Sequence, residues 1–182
     1  MESIFLNSDE RIESRLAERK EKVVTLLIPE NYFDRLSSEE QRKLSKKLPY
    51  LLRRYAKLLS SRSRLNSKAD SILYQNPGKM KKMNFRTNTG YWSLLGALAQ
   101  AHGVSRCFLF NFLLSLEEAE VGDSIEDILN AGVPTFHDVY RYIWQLDLIQ
   151  NTITRSLDFS PNPISPFFDM SFPWARSLIL PK

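Results

Sequence analysis

The sequence is short of the residues that build disulfide frameworks, metal centres and cysteine or histidine catalysis. Its 182 residues include one cysteine, Cys107, and two histidines, His102 and His137. A single cysteine excludes a disulfide framework within the chain and a cysteine-based metal site. The histidines are 35 positions apart with no ligand cluster around either, so neither a metal nor a cofactor is expected. Only six glycines occur and none forms a phosphate-binding loop; Asn76-Pro77-Gly78 is a turn signal. No window carries the roughly 18 apolar residues of a membrane span. The opening MESIFLNSDERIESR has early acids and no apolar core followed by small residues, which predicts no secretory signal. A cytoplasmic location is the default for such a chain. Catalysis has little to work with. Cys107 lies in an apolar stretch with no base beside it, as an inert core thiol does. His102 beside Gly103 suits a helix C-terminus, where the dipole favours a cation. His137-Asp138 suits a helix start. An enzyme is not expected.

What the sequence does have is a concentrated positive charge. The formal net charge is +4, but residues Gln41 to Asn88 hold 14 Lys and Arg against one acid, Asp70. The remainder holds 11 basic and 20 acidic side chains. A block carrying +13 inside a chain otherwise at −9 is the electrostatic footprint of a polyanion partner; the plainer reading is a solvated helix face.

Hydrophobic periodicity divides the chain into three parts. Residues 1–22 read as a charged helical arm, with Ile12 and Leu16 as a thin apolar stripe. Residues 23–120 hold strand, helix, helix twice over. Val23 to Ile28 is β-branched and apolar, which favours a strand. Pro29 ends it and is tolerated in a first helical turn. Ser37-x-x-Glu40 and Ser38-x-x-Gln41 have capping-box spacing. From Leu48 onward, Leu51, Leu52, Tyr55, Leu58 and Leu59 share one helical face, while Arg53, Arg54 and Lys57 share the other. A Ser- and Asn-rich linker follows at 60–79. KMKKMNFRTN then alternates as a strand, TGYWSLLGALAQAHG is a helix capped by Thr89 and ended by Gly103, and Ser105 caps a last helix. Residues 121–182 are an acidic, Pro- and aromatic-rich extension. There SIEDILNAG reads as a short helix, Thr135 to about Ser156 as a longer one, and the tail as extended chain.

The strand at 82–86 carries the functional signal. Successive strand side chains face opposite ways, so Met83 and Phe85 point to one side and Lys82, Asn84 and Arg86 to the other. Lys and Arg suit guanine acceptors, Asn can pair bidentately with adenine, and a two-stranded ribbon fits the major groove. Lys82-Met83-Asn84-Phe85-Arg86, a helix, His102-Gly103-Val104-Ser105 and a second helix together resemble the ribbon-helix-helix repressors of the Arc and MetJ type. That resemblance implies that Lys82, Asn84 and Arg86 read bases and that Met83 and Phe85 anchor the strand. It implies that Ser105 and Arg106 hold a phosphate at a helix N-terminus. Lys46, Lys47, Arg53, Arg54, Lys57 and Lys81, with Arg42 and Lys43, would steady the backbone. The upstream strand departs from the pattern, since only Thr25 among Val23, Thr25 and Leu27 is polar. NFRTNTGYWSLLGALAQAHGVSRCFLFNFLL also resembles the central signature of a spirochaete family of uncharacterised proteins, which supplies no activity.

The expected fold is therefore mainly α with one two-stranded antiparallel ribbon and a C-terminal helical extension. The two strands pair within one chain as a pseudo-dimer, or the second pairs with its twin in a homodimer. The expected role is a transcriptional regulator, a repressor by resemblance, bound to double-stranded DNA. Two alternatives stand beside it. One is a protein-interaction module, antitoxin-like or scaffolding, with a partner on the C-terminal extension. The other is a helix-turn-helix around Ala99 to Ser105. Its second helix carries about seven large apolar residues, each worth roughly 1.5–3 kcal/mol when buried, and that favours the core over a groove.

Overall fold

The computed structural model describes residues 21–75, 78–129 and 137–160. Two strands, β1 (Glu21–Pro29) and β2 (Met80–Asn88), pair antiparallel with Thr25 opposite Asn84, Val23 opposite Arg86 and Leu27 opposite Lys82. Between them run α1 (Glu30–Arg35), α2 (Ser38–Leu44) and α3 (Lys47–Ser61); after them come α4 (Thr89–His102) and α5 (Arg106–Glu118). Alternation in the sequence decides which way the ribbon faces. Val24, Leu26, Ile28 and Phe85 are buried beneath it, with Met83 half-buried beside them.

Under the ribbon lies a helical core. Leu48, Leu51, Leu52, Tyr55 and Leu59 of α3 meet Leu109, Phe110, Leu113 and Leu114 of α5, all buried. The Phe85 ring meets that of Phe110 edge-on at 5.2 Å between centroids. Losing a ring of this kind costs about 3–5 kcal/mol. The helix ends are fixed locally. Ser37 and Glu40 form a reciprocal capping box at α2, and the Ser105 hydroxyl accepts the Phe108 N–H at α5. Gly103 closes α4 at φ +65°, the left-handed conformation that favours glycine. The cap of α4 is Asn88, whose side chain accepts the Tyr91 N–H; Thr89 is already the first helical residue.

The stretch expected to be a linker is strapped down. Leu73 forms a parallel bridge with Val104, and its N–H and C=O bond Gly103 O and Ser105 N, both at 2.9 Å. The buried Asn66 side chain donates to Ser71 O and Gly103 O.

The C-terminal region overturns the expected fold class. After α6 (Gly122–Leu129), which packs along α3, the chain forms a second antiparallel hairpin, β3 (Val139–Asp147) and β4 (Thr152–Ser160). Six helices and two separate two-stranded sheets among the described residues make this a mixed α/β protein. It is neither mainly α with a single ribbon nor a ribbon-helix-helix unit followed by a helical extension. The helix expected from Thr135 to Ser156 is absent for a physical reason. Tyr140, Ile143, Trp144 and Leu148 do fall at helical spacing, but Val139, Tyr140, Tyr142, Ile143 and Trp144 are all β-favouring types. The Asp147 carboxylate also accepts the Ile149 and Gln150 N–H groups and shapes a tight turn, completed by Asn151 at φ +53°. The hairpin rests on α3 and α4. The arm at 8–20, the end of SIEDILNAG at Gly132 and the aromatic tail lie outside the described residues. No helix among the described residues is long and apolar enough to cross a membrane.

Candidate nucleic-acid interface

The outward face of the β1–β2 ribbon carries Lys82, Asn84 and Arg86 on one strand and Glu21, Val23, Thr25 and Leu27 on the other. All are exposed except the half-buried Leu27. Lys82 and Arg86 make no hydrogen bond or ion pair among the described residues. Asn84 differs, because the Thr25 hydroxyl donates to its Oδ1 at 2.9 Å. That bond fixes which way the amide points and uses its oxygen, so the Nδ2 donors are not taken up by Thr25. Thr25, midway along the upstream strand's outer side, therefore orients the central side chain of its neighbour. The sequence signalled this only as an isolated threonine; the register supplied the contact.

Several residues expected at phosphates flank the ribbon. Leu27, Ser105 and Arg106 line one cleft, so the N-terminus of α5 stands beside the Lys82 end. The Ser105 hydroxyl is spent on Phe108 N, and the Ser105 N–H donates to Leu73 O. Arg106 is exposed, with its guanidinium carbon 4.8 Å from the Trp92 ring centre. At the opposite end, the exposed Arg53 donates from Nε to the Tyr91 hydroxyl at 2.6 Å, next to the strand terminus at Asn88. Lys81 is exposed but lies on the inner side of the strand, its Nζ 3.8 Å from the Phe33 ring centre. Lys46 is exposed and Lys47 half-buried at the turn between α2 and α3. Arg42 and Lys43 are exposed on α2, and Lys43 pairs with Glu39 at 2.5 Å.

Two of the expected phosphate contacts are withdrawn. Lys57 is buried and its ammonium donates to the Leu129 carbonyl at the end of α6. Burial lowers its pKa. Arg54 is held among Glu117, Asp123 and Glu126, with 11% of its side chain exposed. Burial would lower the pKa of this guanidinium, but Glu117 with Tyr50 and Tyr55 outweighs it and holds the group above its ordinary value. The Tyr55 hydroxyl donates to Glu117 at 2.7 Å; burial first, and then this carboxylate, push its pKa up. The apolar stripe of α3 was legible in the sequence. The acids that neutralise its other face come from α5 and α6, more than 60 residues on.

His102 is a strongly perturbed histidine. It ends α4, but the dipole does not keep it charged. Burial first, then the charges of Arg62 and Arg64, press its pKa down to about 4, against a hydrogen bond to Leu59 O that opposes them. Its Nε2 lies 2.8 Å from Leu59 O, and Nδ1 accepts the Leu65 N–H at 3.3 Å. A neutral ring protonated on Nε2 satisfies both contacts, so His102 joins the end of α3 to the following loop. Cys107 is half-buried and unpaired. No group of three or more His, Cys, Asp or Glu side chains among the described residues is placed to hold a metal ion.

Residues 1–166 match the model of the family described as "Protein of unknown function (DUF1564)", and the chain belongs to that family. No curated protein and no solved structure matches it.

Proposed function

We propose that this member of DUF1564 is a sequence-specific DNA-binding protein of the cytoplasm, a transcriptional regulator that enters the major groove with its β1–β2 ribbon. One observation carries the reading. An ammonium, an oriented amide and a guanidinium stand in a row on the solvent side of a paired two-stranded ribbon, none of them in an ion pair among the described residues. Nine residues per strand span about 30 Å, and two strands fit a groove about 12 Å wide. Arg86 and Lys82 suit guanine O6 and N7, Asn84 suits adenine, and Val23, beside Arg86 in the register, suits a thymine methyl. Arg106 at one end and Arg53 at the other would meet the backbone, which sets position rather than sequence. Because α5 buries Leu109, Phe110, Leu113 and Leu114, the ribbon is favoured over α5 as the groove element.

The test is selection of bound duplexes from random DNA by the purified chain, followed by affinity measurements on the selected site at two salt concentrations. Arg86→Ala and Asn84→Ala should each lose about 1–3 kcal/mol of preference for that site. An unchanged isotherm for Arg86→Ala refutes the assignment.

A second reading, a protein-interaction module, has its own observation. Leu148 and Ile149 at the tip of the β3–β4 hairpin are 80% and 98% exposed, and Trp144 is 51% exposed. Such a tip suits a protein partner. Binding to DNA that falls steeply with salt separates the two readings.

A further inference from the structure

Away from the ribbon, the β3–β4 hairpin and the loop after α3 enclose a cleft of about 490 Å³. Arg62 and Arg64 line it from the loop and Arg155 from β4, over a floor that includes Leu59, Ile153 and Leu157. No carboxylate lines this cleft, and none of the three arginines forms an ion pair among the described residues. Their hydrogen bonds run to backbone oxygens. Arg155 Nη2 donates to Ala69 O and Arg64 Nη1 to Lys68 O, both at 2.6 Å. Arg62 Nε, Arg64 Nε and Arg64 Nη2 have no hydrogen-bond partner among the described residues, and the Arg62 guanidinium lies 5.0 Å from the Phe112 ring centre. The nearest acid by position, Asp70, lines the adjoining cleft with Arg64 and Arg155 and pairs with neither. Buried donors are ordinarily satisfied and buried charges ordinarily paired. Guanidinium groups gathered without a counter-ion repel one another, and Arg155 acts on Arg64 in this way, while burial disfavours the charge on Arg62.

We infer that the cleft between the β4 strand and the loop after α3 binds a small phosphoryl anion, a phosphomonoester or its inorganic counterpart, through Arg62, Arg64 and Arg155. Guanidinium forks match phosphate oxygens in pairs. The volume is that of a small-molecule site, and the apolar floor accommodates an organic group attached to the phosphate. Bound there, the anion ties the hairpin to the helical body, because Arg155 belongs to one and Arg62 and Arg64 to the other. This does not rest on the DNA reading.

The probes are inorganic phosphate and pyrophosphate, titrated into the full chain by calorimetry and by thermal unfolding, with ionic strength held constant by sodium chloride. Saturable binding and a rise in Tm are expected. Arg155→Gln should weaken binding at least tenfold. Ala69→Glu, at an exposed position lining the cleft, should do the same without lowering the anion-free Tm. Duplex affinity should be unchanged in both variants. The inference fails if the parent shows no saturable response up to about 20 mM, which would fill any millimolar site. It fails equally if both variants respond as the parent does, or if they lose affinity for duplex DNA while keeping the phosphate response.

Discussion

Acidification should destabilise this protein through His102 before its carboxylates titrate. The ring is neutral and buried, with Nδ1 accepting from Leu65 N and Nε2 facing Leu59 O. A proton added at Nδ1 would set two donors against each other, in a pocket already facing Arg62 and Arg64. The unfolded chain takes up that proton near pH 6.5, whereas the folded chain resists it down to about 4. Since the unfolded state binds more protons throughout that window, stability is full above pH 6.5 and falls as pH drops toward 4. At about 1.4 kcal/mol per pH unit, the loss is about 2 kcal/mol by pH 5 and about 3 kcal/mol once the folded form also titrates. Urea unfolding between about pH 7 and pH 5 measures it, with His102→Gln as the reference. The variant should start less stable, because Leu59 O and Leu65 N lose a well-placed partner, but its stability should fall less with acid. Equal pH slopes in the two proteins would refute the reasoning. So would an imidazole signal from His102 that titrates near 6.5 in the folded state.

Further consequences are open to measurement. Thr25→Val removes the hydroxyl that orients Asn84. It should cost about 0.5–1.5 kcal/mol of preference at the selected duplex and leave the urea midpoint within error. Arg54→Met strands the Glu117 carboxylate beside Tyr50 and Tyr55 and should destabilise the fold by about 2–4 kcal/mol in urea titrations. Arg53→Ala should lower the slope of log affinity against log salt by about one, whereas Lys57→Met should leave it unchanged because the Lys57 ammonium is turned to Leu129 O.

The sequence told most where periodicity and caps were strong. The alternation of Met83 and Phe85 against Lys82, Asn84 and Arg86 reappears in the burial of β2. The capping box at Ser37 and the left-handed Gly103 were readable as local chemistry. It failed where one stretch satisfied two periods at once. From Val139 to Asp147, helical spacing and strand alternation overlap, and the residue types together with the Asp147 turn decide for the hairpin. It was also silent on long-range pairing. Neither the use of Arg54 and Lys57 by α5 and α6, nor the convergence of Arg62, Arg64 and Arg155, follows from spacing, because each joins residues more than 60 positions apart.

The two strands of the ribbon have different sequences, and that asymmetry has a consequence for any operator. In a ribbon assembled from twin strands, every reader appears twice about a dyad, and the target is correspondingly an inverted repeat. Here guanidinium, amide and ammonium occur once each, facing valine, threonine and leucine. A duplex sequence recognised by one such chain would be directional, with no palindrome in it.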